Sequence, residues 1–319
     1  MDVVALGELL IDFTALETDA GGYPVMAAHP GGAPANFLAA LSKFGYETAL
    51  LGKVGTDAFG GLLLRTLRQA GIDTRGMVQS GDVFTTLAFV TLDEGGDRSF
   101  SFARKPGADT RLRPEEVNWE LIASAKVFHF GTLSLTDEPA ATATRQAVAY
   151  ARQRGKLISF DPNLRKPLWR DMEEAGAAML WGLSQADIVK ISDEEVEFLF
   201  GCGPEAGAER IAAEYGVKLV FVTCGARGCY FRNPGASGHV PGLSGLAVAD
   251  TTGAGDIFGG SALSRILALG KGPEALTGEE LIQITRFACT AAGLSTTRPG
   301  GISSVPEWDA VRARLEREG

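Results

Sequence analysis

The chain is predicted to be an α/β protein with a mainly parallel central sheet covered by helices, and with a small β-sheet lid over the sheet's C-terminal edge. Three observations lead there. Strand-like and helix-like patterns alternate along most of the 319 residues. The strand-like runs are nearly continuous in apolar residues, as expected of parallel strands buried on both faces. Two stretches, about residues 12–32 and 80–108, break the alternation and read as lid insertions. A chain of this length that is 45% hydrophobic can bury one extended core plus a smaller appendage, so residues 1–319 are expected to form a single domain.

Taken in order, residues 3–11 form an apolar first strand, and residues 12–32 lack helix periodicity. Residues 35–44 carry apolar positions at helical spacing behind Gly31-Gly32-Ala33-Pro34, with proline near the first turn. Residues 48–54 are the next strand, and Asp57 caps a helix over 59–70. Residues 85–92 and 98–104 alternate in type around the turn-rich Asp93-Glu94-Gly95-Gly96-Asp97, which is a hairpin pattern. Strands at 126–133, 157–161, 188–191 and 219–223 then interleave with helices at 139–154, 173–183, 194–200 and 206–215. A short strand at 229–232 follows. Helices over 253–269, 279–295 and 307–318 complete the chain.

Charge and cysteine content exclude several function classes. With 30 basic and 39 acidic residues the net charge is -9, and no Lys/Arg run marks a nucleic-acid or membrane surface. Met1-Asp2 opens into an apolar strand pattern without a basic leader, and no apolar stretch approaches a membrane span, so a cytoplasmic location is expected. Four cysteines without a C-x-x-C pair, and three histidines, offer no zinc spacing and read as reduced, mostly buried thiols.

The chemistry is concentrated in Asp250-Thr251-Thr252-Gly253-Ala254-Gly255-Asp256. Gly253 and Gly255 let the backbone turn so that several N–H groups point one way at a helix N-terminus, a pocket for phosphate. Asp256 follows within the first turn, placing a carboxylate beside that anion hole. This arrangement suits a hydroxyl that loses its proton while attacking a phosphoryl group. Alone, the heptad could also be a tight loop with an acidic helix start. Gly31, Gly32 and Asn36 permit close approach of a polar ligand, and Asn36 offers a donor and an acceptor that suit a vicinal diol. Asp12 would add an acceptor for hydroxyls, or simply form a turn.

Residues 52–60 read as a structural strand-to-helix joint. Ser192-Asp193-Glu194-Glu195 has capping-box spacing, and Glu195 could also hold a hydrated magnesium ion. Thr223-Cys224-Gly225-Ala226-Arg227-Gly228 is a hairpin, with or without a nucleotide over it. No lysine sits in a Walker frame. Residues 201–206 fit G-x-G-x-x-A but follow a helix pattern and contain a proline, so they read as a loop.

Together, Gly31-Gly32 with Asn36, the 52–60 segment and Asp250 to Asp256 resemble the two signature regions of the ribokinase, or PfkB, carbohydrate kinases, in order and spacing over nearly the whole chain. Phe102-Ala103-Arg104-Lys105-Pro106-Gly107-Ala108-Asp109 and Asp161-Pro162-Asn163-Leu164-Arg165-Lys166-Pro167-Leu168-Trp169 look like the fructokinase branch.

The resemblance implies a ribokinase-like three-layer fold with a β-lid and transfer of the ATP γ-phosphoryl group to the 6-hydroxyl of D-fructose. Asp256 would be the general base, and Gly253, Ala254 and Gly255 the anion hole. Asp12, Gly31, Gly32, Asn36, Phe102, Arg104 and Arg165 would bind sugar. Lys190, Glu195, Thr223, Gly225 and Gly228 would line the nucleotide side with Mg²⁺. A K⁺ or other monovalent cation would take oxygens from Asp250, Thr252, Ser295, Arg298, Gly300 and Ser304. A homodimer through the lid is also implied.

Two positions depart from the pattern. Ser192 stands where many relatives have Asn, and Ala103 where fructokinase lids carry tyrosine. The alternatives are 2-keto-3-deoxygluconate or another sugar as acceptor, and, from a different class, a non-catalytic sugar sensor. A nicotinamide oxidoreductase is disfavoured because no dinucleotide fingerprint follows the first strand.

Overall fold

In the computed structural model, residues 1–92 and 98–318 are described. The turn expected at residues 93–97 lies outside the described residues. The chain begins with strands β1 (Val3–Leu6), β2 (Leu10–Thr18) and β3 (Pro24–Gly31), then helix α1 (Ala33–Lys43), β4 (Thr48–Gly55), α2 (Ala58–Gln69), β5 (Ile72–Asp73) and β6 (Met77–Ser80). Next come β7 (Leu87–Leu92), β8 (Arg98–Ala103), α3 (Trp119–Ser124), β9 (Val127–Gly131), α4 (Ala140–Gln153), β10 (Leu157–Asp161), α5 (Met172–Gln185), β11 (Ile188–Ser192), α6 (Asp193–Phe200) and α7 (Pro204–Tyr215). The last part holds β12 (Leu219–Thr223), β13 (Cys229–Arg232), β14 (Ser237–Val240), α8 (Ala254–Leu269), α9 (Gly278–Ser295) and α10 (Trp308–Glu318).

The main sheet runs β14-β13-β12-β11-β10-β9-β1-β4-β5, with β6 also on β4. It is parallel from β12 to β5, because helical crossovers join those strands, and antiparallel at the β12–β13–β14 edge, where tight turns do. Successive side chains of β1 point to opposite faces. Val3 and Ala5 enter one apolar cluster with Phe37, Leu41, Ile257 and Phe258, while Val4 and Leu6 enter another with Phe128, Phe130, Ala147, Phe160 and Leu183. The period of two thus makes a helix–sheet–helix sandwich, with α1, α8 and α9 on one side and α3 to α7 on the other.

A second, small sheet has the order β3-β2-β7-β8. Its β2–β3 and β7–β8 pairs are antiparallel, and its central β2–β7 pair is parallel.

The apolar run at residues 3–11 is not one strand. It breaks after Leu6 and resumes at Leu10 in the small sheet, so Asp12 belongs to β2 and not to the end of the first core strand. Gly7 permits the break, since a Cβ there would lie 2.6 Å from Pro34 Cγ. The run looks continuous in sequence because Leu9, Leu10 and Ile11 stay buried while the chain passes between sheets. Similarly, α7 starts at Pro204, directly after the Gly203 N-cap, so residues 201–203 alone form the turn behind α6. Helix α3 and strands β5, β6 and β14 are too short to show a period in the sequence.

Asp57 caps α2 as expected, accepting from Phe59 N and Gly60 N at 3.0 Å, and its other oxygen accepts from Thr85 N and Oγ1. It therefore also fixes the approach to β7.

Candidate active site

The N-termini of α1 and α8 meet at the C-terminal edge of the main sheet. Residues 250–253 form the turn into α8, and its N-cap, Gly253, has φ 76°. Asp250 Oδ1 accepts from Thr252 N (2.9 Å) and Oγ1 (2.7 Å), and Oδ2 accepts from Gly300 N at 3.0 Å, which ties the turn to the segment after α9. Asp256, in the first turn of α8 and 7% exposed, accepts on Oδ2 from Asn36 Nδ2 of α1 at 2.9 Å. Burial pushes the Asp256 carboxyl above its ordinary range, against the pull of Lys190, the Asn36 hydrogen bond and Arg165.

The Asn36 amide is held between two glycines. A Cβ on Gly253 would sit 2.9 Å from Asn36 Nδ2, and one on Gly301 would sit 2.2 Å from its Oδ1. That oxygen is buried without a hydrogen-bond partner among the described residues. The amide orientation follows from chemistry, because only Nδ2 can donate to a carboxylate.

Below the α8 turn, Lys190 from β11 donates to Asp161 Oδ2 at the end of β10 at 2.9 Å. A Cβ on Gly255 would lie 2.8 Å from Lys190 Nζ, so the ammonium rests against the turn. Asp161 is pushed up to about 7, chiefly by burial, with Lys190 opposing and Glu195 and Asp256 adding. Its Oδ1 is buried and unpaired among the described residues.

Glu195 forms the capping box seen in the sequence. Ser192 N donates to its Oε2 (2.8 Å), and its own N–H donates to Ser192 Oγ (3.1 Å). Glu195 Oε1 also accepts from Leu164 N at 2.7 Å, so it holds the loop that carries Arg165.

At the N-terminal end of α1, a Cβ on Gly31 would fall 2.2 Å from Asp12 Oδ2, so the glycine makes room for that carboxylate. Asp12 is pushed up to about 6 by burial, opposed by Arg165 and reinforced by Asp256 and Asp250. These four charged groups therefore share one neighbourhood. Gly32, with φ 121°, is packed on the Glu8 backbone, where a Cβ would lie 2.4 Å from the carbonyl oxygen.

Phe102 lies half-buried on β8 opposite Ala88, beside a cleft of about 960 Å³ lined also by Arg104, Lys105 and Trp169. Arg104, expected to reach in from the lid, lines this cleft with its guanidinium hydrogen-bonded inside the protein. It donates to Asp109 (2.8 Å), Thr136 Oγ1 (2.7 Å) and the Leu133 carbonyl (2.8 Å) and is 4% exposed, anchoring the root of the small sheet.

On the other side of Lys190, Thr223 ends β12 and donates to the Ile191 carbonyl at 3.4 Å. The β12–β13 turn closes by Cys224 N to the Gly228 carbonyl at 2.7 Å. Gly225 (φ 55°) and Gly228 (φ 101°) supply conformations that side chains resist, and a Cβ on Gly228 would strike the Val240 oxygen at 2.0 Å. The turn also carries the exposed Arg227, whose guanidinium pairs with Asp193 at the start of α6.

Of the expected cation ligands, Asp250, Thr252 and Gly300 are joined by hydrogen bonds. The Ser295 carbonyl accepts from Arg298 N, and Ser304 Oγ donates to the Gly301 carbonyl within local turns of the same C-terminal segment.

Three groups escaped the sequence reading. Gly301 resembles any loop glycine, and only its packing on Asn36 distinguishes it. Asp161 opens the 161–169 segment, and its local signal is that of a strand-end carboxylate after an apolar run. Glu8 sits within the apolar run of residues 3–11, where a single acidic residue marks no motif.

The residues fit a nucleotide with a hydrated divalent ion. Lys190 supplies charge at the α8 turn, and the Glu195 oxygens, each accepting one N–H, retain lone pairs for metal-bound water. The buried, unpaired oxygens of Asn36 and Asp161 leave polar valences inside the site.

Comparison with known proteins gives a consistent result. Residues 1–308 match the description pfkB family carbohydrate kinase. Fructokinase-1 of Zea mays is 42% identical over 319 residues, covering 99% of this chain and 98% of its own length. Among solved structures, the fructokinase with bound ATP from Xylella fastidiosa superposes with a TM-score of 0.91 at 31% identity, covering 99% of this chain and 98% of its own. A double mutant of the fructokinase from Vibrio cholerae O395, in a form with fructose, ADP and potassium ion bound, gives 0.86 at 31% identity with the same coverage.

Proposed function

The chain belongs to the pfkB family of carbohydrate kinases and is an ATP-dependent sugar kinase, and we propose that its acceptor is the 6-hydroxyl of D-fructose. The observation that carries the chemistry is the buried Asn36–Asp256 bond at the mouth of the Gly253 turn. The choice of sugar draws on the fructokinase relatives.

In this reading Asp256 takes the proton of the attacking hydroxyl, with Asn36 occupying Oδ2 so that Oδ1 meets the sugar. The N–H groups of Gly253, Ala254 and Gly255, with Lys190 beneath them, receive the transferring phosphoryl group. Its transition state is loose and proton transfer is late, so positioning and electrostatics lower most of the barrier. Asp12, Gly31, Gly32, Asn36, Phe102 and Arg165 surround the sugar, and Arg104 supports the small sheet behind them. ATP runs over the Gly225–Gly228 turn from Thr223 to Lys190. Mg²⁺ near Glu195 would neutralise phosphate charge, and a monovalent cation beside Asp250 and Thr252 would firm the turn. The exposed Leu16, Tyr23 and Val25 on the small sheet and its turn favour a homodimer through that surface.

The raised carboxyl of Asp12 has a measurable consequence. Burial favours its protonated form, so the carboxylate that accepts sugar hydroxyls is lost as pH falls through about 6. The KM for sugar is expected to rise below that pH while the KM for Mg-ATP changes little. Asp12→Asn should weaken sugar binding at every pH and remove that limb, and an unchanged limb in the variant would assign it to another group.

The function is tested by ADP release from Mg-ATP across fructose, ribose, glucose, 2-keto-3-deoxygluconate and adenosine. Strong turnover on fructose alone supports the proposal. Turnover on another of the five replaces the sugar and keeps the mechanism.

A further inference from the structure

Glu8 lies in the link between β1 and β2 and is 4% exposed. Its carboxylate does not belong to the constellation assigned above, yet it touches the element that carries it. Helix α1 has no side-chain cap, because its N-cap is Gly32. No larger residue fits there, since the backbone has φ 121° and a Cβ would lie 2.4 Å from the Glu8 carbonyl oxygen. The missing cap is supplied from a distance of 25 residues in sequence, where Ala33 N donates to Glu8 Oε1 at 2.9 Å. One turn on, Asn36 N donates to the Gly32 carbonyl at 3.0 Å, and the Asn36 side chain holds Asp256 at 2.9 Å.

We propose that Glu8 is the positioning residue of the sugar turn: it caps α1 in place of the absent side chain at Gly32 and so fixes Gly31, Gly32 and Asn36 relative to Asp256. The assignment rests on the reading of that turn as the sugar side. The physical basis is twofold. A carboxylate at a helix N-terminus satisfies an otherwise unpaired N–H and lies in the favourable field of the helix. Anchored in buried backbone, it also transmits a fixed position to a turn whose glycines have no side chains of their own to hold them.

The charge around Glu8 connects it to a second element. The buried Arg104–Asp109 pair, at 2.7 Å, lies within electrostatic reach. Burial pushes the Glu8 carboxyl up to about 7, with its own N–H and that of Ala33 opposing, Asp109 adding and Arg104 opposing. Glu8 thus stands between the root of the small sheet, held by Arg104, and the sugar turn. An acceptor oxygen is needed at Ala33 in either protonation state, and a glutamine can supply it.

The test measures both Michaelis constants in Glu8→Ala, Glu8→Gln and Glu8→Asp, with whichever sugar the unaltered protein phosphorylates. A wrong choice of sugar is then visible in the unaltered protein, while a wrong role for Glu8 is visible only in the variants. Glu8→Ala is expected to raise the KM for sugar about tenfold or more, with the KM for Mg-ATP within about twofold, because only the sugar turn loses its anchor. Glu8→Gln should stay within about threefold of the unaltered protein, since its amide oxygen still accepts from Ala33. Glu8→Asp, which keeps the charge but withdraws the oxygen by one methylene, should raise the sugar KM alone. Should Glu8→Ala fail to fold, Glu8→Asp decides. A sugar KM within about twofold in both Ala and Asp variants, or equal rises in both constants, overturns the proposal, because a merely structural role would not single out the sugar.

Discussion

Asp256→Asn is expected to lose about three orders of magnitude in kcat while both Michaelis constants stay within a few-fold. The magnitude is that of removing a positioned general base. The substitution is nearly isosteric, and its amide oxygen can still accept from Asn36 Nδ2, which holds Asp256 at 2.9 Å. Geometry is therefore retained while the proton acceptor is lost. The same change should leave stability equal or higher, because burial disfavours the charged form of this carboxyl in the native protein. Coupled ADP release and a urea titration on one preparation check both parts. Near-normal turnover would remove Asp256 from the role of base, and a parallel fall in stability would trace any loss of turnover to damaged packing.

Gly253→Ala should be nearly as damaging, for a different reason. At φ 76° an alanine carries a backbone cost of about 1–2 kcal/mol. Its Cβ would also lie 2.9 Å from Asn36 Nδ2 and 3.1 Å from Gly301 Cα, so the Asn36 amide or the C-terminal segment must move. We expect kcat to fall about a hundredfold, since small displacements of a positioned group cost that much, together with a loss of stability. Gly255→Ala is the control within the same turn. Its φ is not positive, and its Cβ would meet only the flexible end of Lys190, at 2.8 Å from Nζ. It should cost less in both kcat and urea midpoint. Equal effects at the two positions would show that the Asn36 contact is not what Gly253 protects.

The two variants separate what is chemical in the site from what is geometric. In the proposed reading Asp256 acts through its proton affinity, which burial raises and Lys190 lowers. Gly253 acts through the absence of a side chain, which lets α1, α8 and the segment after α9 converge on one amide. Neither effect is visible from the other's residue type, although the two positions lie three apart in sequence.

Much of the architecture follows from local patterns. Continuous apolar runs such as Leu219–Thr223 mark strands buried on both faces, and Asp57 and Ser192 announce their helices because capping is a short-range hydrogen-bond requirement. The turn at Asp250–Asp256 was legible for the same reason, since glycine spacing and a first-turn carboxylate are properties of a contiguous segment. The hydrogen-bond partners of Arg104 were not legible, because an arginine near a ligand and an arginine holding a loop have the same sequence signature. Its partners Asp109, Thr136 and Leu133 lie on other elements.

By itself, then, the sequence determined the α/β class, the capped starts of α2 and α6 and the glycine turn ahead of α8, all of which depend on interactions within a few residues. Only the tertiary structure decided that the first apolar run crosses between two sheets, that Asn36 holds Asp256 across 220 residues, that Lys190 rests on Gly255 above Asp161, and that Glu8 caps a helix from the neighbouring strand link. These contacts join residues far apart in the chain. The packing that brings them together depends on the whole fold, so no local period or spacing encodes it.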